Sequence, residues 1–376
     1  MTAAVALTQQ IFIGSEVYRG SSYGTAHPLR VPRVSTVMDL VRVLGWLPAD
    51  SFRTSPMAKP MALEMWHDPA YIAALQTAAR DGVVDDTTRR RFDLGTLSNP
   101  IFADMFRRPA TGAGGVMLAA EMLVRQPGAL FVPGGGTHHG MPDRANGFCY
   151  LNDPVLGILT LRGMGVRRIA YVDIDAHHPD GVEHAFAADP DVLMISVHEQ
   201  ARWPFTGAVT DAGVGNCFNL PVPAGFNDTE MRAVLQGLIL PQLAAFAPEV
   251  VILQCGADAL TEDPLSRLTL SNNAHWAVVA ALRDFAPRLL VLGGGGYNPW
   301  SVGRCWAGVW ATLAGHAIPD VLPDVAQAVL RALTWGGGGR ARPGEDMFTT
   351  LRDPPREGPL RAEVSDRIAV LSARSA

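Results

Sequence analysis

Hydrophobic positions along this chain gather into short, nearly continuous apolar runs. Glycine-rich or acidic segments separate the runs from longer stretches with helical spacing. The runs at 129–133, 168–174, 192–197, 249–255 and 288–292 are rich in Val, Ile and Leu and do not alternate with polar residues, as expected of strands buried on both faces. Residues 10–18 read as a first strand. Helical spacing predicts helices over 34–46, from Pro69 to about Arg80, over 101–125 with a break at Gly112-Ala113-Gly114-Gly115, and over 153–164, 181–188, 228–246, 271–285 and 301–315. Asp68 before Pro69 is a capping residue followed by proline at the first helical position. The polar stretch 81–100 reads as loop. Strand, glycine or acidic loop, then helix, repeated, predicts an α/β fold of three layers, a central mainly parallel sheet with helices on both faces. Residues 1–376 are expected to form a single domain. Gly336–Gly339 reads as a surface loop, and 336–376 as a C-terminal extension packed on that domain.

The pattern turns unusual at R-I-A-Y-V-D-I-D-A-H-H-P-D-G, Arg168 to Gly181. Alternation at the end of the strand puts Asp173, Asp175 and His177 on one side and Ile174 and Ala176 on the other. Ionisable groups buried in a row cost several kcal/mol unless each is paired or holds a metal. The carboxyl ends of parallel strands are also where open α/β sheets place their ligands. The other strand ends carry chemistry too: P-G-G-G-T-H-H-G-M-P-D-R-A-N-G-F-C-Y after 129–133, G-A-D-A-L-T-E-D-P-L after 249–255, and G-G-G-G-Y-N-P-W after 288–292. Four strand ends are thus expected to converge on one crevice.

Composition narrows what that crevice does. The chain is 48% hydrophobic with a net charge of -5, and its basic residues are scattered arginines with Lys59 as the sole lysine. No run tracks phosphates, so nucleic acid is not expected as a partner. Cys149, Cys217, Cys255 and Cys305 form no C-x-x-C and read as reduced, buried thiols of a cytoplasmic protein. No stretch approaches the roughly 18 apolar residues of a membrane span, and the N-terminus lacks a positive leader region.

Asp175, His177 and Asp258 make a three-donor oxygen and nitrogen set that leaves positions open for water and substrate, the layout of a catalytic metal. Zinc, iron(II) and cobalt(II) all accept such donors. A bound metal lowers the pKa of water to roughly 7, but cleaving an amide also needs a base and a proton donor. His138 and His139 supply these, with Asp173 and Asp180 available to hold their second nitrogens. Tyr297, on its glycine-rich loop, is placed to donate to an oxyanion.

H-H-G-M-P-D-R-A-N-G-F-C-Y, Y-V-D-I-D-A-H-H-P-D-G, Q-C-G-A-D and G-G-G-G-Y-N resemble the histone deacetylase superfamily, in particular its bacterial acetoin-utilisation deacetylase branch. The resemblance runs from about Tyr18 to about Gly315. It implies an arginase/deacetylase-like fold and a zinc-dependent hydrolase that removes acetyl groups from the ε-amine of lysine in a protein or peptide, or from a related amine. By motif position it implies Asp175, His177 and Asp258 as zinc ligands, and His139, paired with Asp180, as general base and acid. His138 is implied as its electrostatic partner, paired with Asp173, and Tyr297 as the carbonyl-polarising residue. Gly147 would accept the substrate amide N–H, Phe148 and Trp203 would wall the tunnel, and Leu265 would line it. Arg33 falls where members of that family carry an arginine beside an internal cavity. A monovalent cation, K+ or Na+, is implied at Asp173, Asp175, His177, Ser196 and Val197.

Two positions depart from the family pattern. Ser98 or Asn99 stands where relatives carry a rim aspartate that grips the substrate backbone, and Pro179 stands where many carry glycine. A dinuclear manganese ureohydrolase would need further ligands where Pro179 and Leu260 stand, and a catalytically silent binder would have lost one of the site residues. An acetylpolyamine or other small acetylated amine is the alternative substrate.

Overall fold

The computed structural model describes residues 9–24, 27–335 and 343–374. Eight strands form one sheet: β1 (Gln10–Gly14), β2 (Phe52–Thr54), β3 (Gly128–Val132), β4 (Ile169–Asp173), β5 (Val192–Glu199), β6 (Cys217–Val222), β7 (Val250–Gln254) and β8 (Arg288–Leu292). Their order is β2-β1-β3-β8-β7-β4-β5-β6, and every pairing is parallel. Alternate side chains feed two cores. Ala129 and Phe131 pack with helices Val34–Val43, Asn272–Phe285 and Pro299–Ala314 on one face, while Leu130 and Val132 pack with Arg107–Arg125 and Asp153–Gly163 on the other. This is the three-layer α/β architecture expected.

The five strands and the later helices fall within a few residues of their predicted places. Other expectations need correction. β1 stops at Gly14, because Ser15 Oγ accepts the Val17 N–H (3.2 Å) and turns the chain into the short helix Val17–Gly20. The stretch 81–100 is not all loop: Asp85 accepts the Thr88 N–H (2.7 Å) and starts the helix Asp86–Phe92, which buries only Phe92. The helix expected from 101 begins at Arg107 and runs unbroken through its glycines. Those glycines serve close packing, since a Cβ on Gly114 would collide with the Pro56 carbonyl oxygen. The stretch 228–246 is continuous helix with a π segment, Leu235–Ile239, at its centre. β2 and β6 were not expected. The glycines at 336–339 lie outside the described residues.

Residues 343–374 follow the Pro299–Ala314 side of the molecule, with helices Asp346–Thr349 and Ala362–Ser372. Buried Asp353 pairs with buried Arg304 (2.7 Å) and accepts the Asn272 N–H (3.0 Å). Arg361 pairs with buried Glu230 (2.7 Å).

Candidate active site

The four middle strands β3, β8, β7 and β4 end side by side, and their following segments build the site. β4 itself stops at Asp173. Beyond it the alternation is maintained by side chains: Asp173 Oδ1 accepts the Asp175 N–H (2.9 Å) and Asp175 Oδ1 accepts the His177 N–H (3.0 Å). Each aspartate satisfies an N–H two residues on, a local turn that keeps the next functional side chain facing the crevice.

Asp175, His177 and Asp258 offer donor atoms within 4.8 Å of one another. His177 Nδ1 lies 2.9 Å from Asp258 and 3.3 Å from Asp175. Asp175 Oδ2 also accepts the Gly295 N–H (2.7 Å), and Asp258 Oδ1 the Ala176 N–H (3.0 Å). The cradle is made of glycine: a Cβ at Gly256 would collide with Asp175, and one at Gly295 with Asp258. Burial opposes charge on all three, yet His138 and His177 hold Asp175 well below the carboxylate range. Burial and then Asp175 push Asp258 up, and the two carboxylates lift His177 to about 10 against its burial. Three groups thus crowd around one shared positive charge. A divalent cation would take the place of that proton, so the donor set fits a metal.

Two histidine–aspartate pairs stand beside it. His138 Nδ1 meets Asp173 (2.7 Å), His139 Nδ1 meets Asp180 (2.6 Å), and the two Nε2 atoms face each other at 3.0 Å. Such a contact holds one proton between two nitrogens. Burial opposes protonation of His138, but Asp173 and Asp175 raise it to about 9. Burial and then the His138 charge lower His139 to about 4. The proton therefore sits on His138, and the Nε2 of His139 is an acceptor.

Tyr297 is buried, and no described residue holds its hydroxyl. Burial pushes its ionisation far upward, so it remains a neutral donor. A cavity of about 360 Å³ opens from this group to the surface, lined in part by His139, Gly147, Phe148, Trp203, Leu265 and Tyr297. The Trp203 ring lies 4.6 Å from that of His139, and the Phe148 ring 6.0 Å from that of Tyr297. Gly147 (φ +53°) permits this approach, since a Cβ there would strike Trp203. Arg33 lines an inner cavity of about 50 Å³ and donates to the Gly294 carbonyl (2.5 Å). Asp173 and Ser196 are cross-strand partners of β4 and β5, next to Val197.

The structure places the predicted catalytic, metal-donor and tunnel residues around one crevice, while Ser196 and Val197 lie on β5 beside Asp173, with the Ser196 hydroxyl bonded to His198 (2.8 Å). Of the two rim positions, Ser98 lines the mouth. Asn99 is buried, with its amide held by Asp93 (2.7 Å) and its carbonyl by the Phe148 N–H (3.1 Å). The sequence reading missed Asp93 and Arg202, which also line the mouth, and Asn146, whose amide donates to Asp180 Oδ2 (2.9 Å). Asn146 lies within a motif already noted, so its polarity next to the histidine pair was the available signal. His178 faces away from the metal-donor set, bonding Thr206 and Asn219, and so anchors the loop that carries Trp203.

A donor cluster, a charged histidine pair and a neutral tyrosine at the strand ends of a parallel sheet define a hydrolase of the arginase/deacetylase fold. Residues 27–313 match the histone deacetylase domain model. A crystal structure of a histone deacetylase homologue complexed with SAHA superposes with a TM-score of 0.92 at 33% identity, covering 97% of this chain and 100% of that one. The acetoin utilization protein AcuC of Bacillus subtilis is 32% identical, over 83% of this chain and 85% of its own length. Histone deacetylase 6 of Arabidopsis thaliana is 34% identical over 80% of this chain, which spans 65% of that relative. The chain belongs to the histone deacetylase family, whose members are hydrolases acting on acetylated amides.

Proposed function

We propose that this protein is a zinc-dependent deacetylase that hydrolyses the amide of acetyl-lysine in a protein or peptide. The observation that carries the reading is one cavity, walled by Phe148 and Trp203, that ends on His177, His139 and Tyr297 together, with Asp175 and Asp258 beside His177 and with His138 against His139. Asp175, His177 and Asp258 would hold the zinc, which would supply a Lewis acid for the acetyl carbonyl and acidify water. Phe148 and Trp203 exclude bulk water from an extended alkyl chain, and the Gly147 carbonyl accepts the amide N–H. His139, oriented by Asp180, takes the proton of the attacking water at Nε2 and returns it to the departing amine. Charged His138 and the Tyr297 hydroxyl stabilise negative charge as it develops on the carbonyl oxygen. Asp173 and Ser196, with the backbones of Asp175, His177 and Val197, are the proposed holders of a potassium or sodium ion.

A second reading, hydrolysis of a small acetylated amine such as an acetylpolyamine, is favoured by one feature, the Asp93 carboxylate at the cavity mouth. Metal analysis of one preparation, alongside hydrolysis of an acetyl-lysine peptide and an acetylated polyamine, separates the two. One zinc per chain with peptide turnover supports the first, and turnover of the polyamine alone supports the second. No turnover of either by the zinc-loaded protein overturns both.

A further inference from the structure

Tyr297 follows Gly293–Gly296, and two of those glycines have φ values of +121° and +130° that other residues rarely adopt. Hydrogen bonds hold the first three, through the Gly293 carbonyl with the Cys255 N–H (3.1 Å), the Gly294 carbonyl with Arg33 (2.5 Å) and the Gly295 N–H with Asp175 (2.7 Å), so what remains to be fixed is the last step, from Gly296 to Tyr297. The fixing comes from the segment after β7. Asp263 is buried, and its Oδ2 accepts the backbone N–H of Tyr297 at 2.6 Å. Its Oδ1 accepts the N–H of Leu265 at 2.9 Å. The neighbouring Glu262 carbonyl accepts from Asn298 (3.3 Å), which in turn caps the helix Pro299–Ala314. Burying a carboxyl group is costly, and burial and then the nearby Asp258 push its ionisation well up; both oxygens are used on backbone groups of residues that line the tunnel.

We infer that Asp263 is a positioning residue that sets the Tyr297 hydroxyl and the Leu265 wall from a single carboxylate. It touches neither the substrate nor the metal donors. It closes the freedom left at Gly296, so that the hydroxyl stands where charge develops on the carbonyl oxygen. The inference rests on the reading of Tyr297 given above.

The test is a double-mutant cycle on the zinc-loaded, full-length protein with an acetyl-lysine peptide, comparing the wild type with Asp263→Asn, Tyr297→Phe and the double variant. Asparagine is isosteric but turns an N–H against one of the two backbone donors. Asp263→Asn is expected to lower kcat by about tenfold to a hundredfold, the scale of a small misplacement of a catalytic group. In the Tyr297→Phe background the same change should alter kcat by no more than about twofold, because no hydroxyl remains to be misplaced. The rise in KM from the loosened Leu265 wall should persist in both backgrounds. An equal fall in kcat in both backgrounds, or no fall in either, overturns the inference and leaves the role of Tyr297 standing. Full activity of Tyr297→Phe alone overturns the reading of Tyr297 and the inference with it. Should Asp263→Asn not fold, Asp263→Ser, which keeps one acceptor, replaces it in the same cycle.

Discussion

His67 shows how a residue outside the reaction sets conditions for the site. Its Nε2 accepts the Asn152 N–H (3.0 Å), so Nδ1 carries the hydrogen and donates to the Met141 carbonyl (3.0 Å). Asn152 in turn holds the His138 and Gly140 carbonyls. A second proton on His67 would face the Asn152 N–H, and burial lowers its pKa from 6.5 to about 4. The unfolded chain therefore binds more protons between those values, and stability is lost as pH falls from about 6.5 to about 4. The contribution of His67 reaches about 3 kcal/mol. Denaturant unfolding across this range should show a shallower slope for His67→Gln than for the wild type, alongside lower stability at neutral pH. Gly295 gives a second prediction at this scale. Gly295→Ala pushes a methyl onto Asp258, so the variant should fold, by circular dichroism, yet retain little metal by elemental analysis. The donor residues were legible because charge at a strand end has few explanations. Asp263 was not, because a carboxylate that serves only backbone N–H groups looks in sequence like any loop acid.

The helix Arg107–Arg125 separates propensity from packing. In an exposed helix, glycine to alanine gains about 1 kcal/mol. At Gly114 the added methyl meets the Pro56 carbonyl and the Ala58 nitrogen, and overpacking costs about 1–3 kcal/mol. Gly114→Ala is thus expected to lower the melting temperature, whereas a rise would mean that propensity prevails. The central strands were readable because burial on both faces leaves an unbroken apolar run. The two strands missed, β2 and β6, are the sheet's edges. β6 contains Pro221, which argues against a central strand but is tolerated where one side of the strand has no partner. The helix Asp86–Phe92 was hidden for a related reason, since one buried residue leaves no periodicity to detect.

Across the whole molecule, residues 343–374 bind distant elements together. Arg304 and Asp353 form a buried pair with side chains 1% and 7% exposed. Asp353→Ala leaves a guanidinium without its counter-charge and should cost about 3–5 kcal/mol in urea unfolding. A loss below about 1 kcal/mol would reduce this segment to a surface ornament. The strand order carries a further consequence, for synthesis. β3 and β4 are made in succession, yet β8 and β7 lie between them, and these are complete only at Leu292 and Gln254. Until Gln254 has been made, a two-strand gap with open edges at β3 and β4 separates two blocks of sheet, and until Leu292 a one-strand gap remains between β3 and β7. Open edges of this kind pair readily with other chains. A chain cut short before β7 is therefore expected to aggregate, and it would lack Asp258 and Tyr297 of the site.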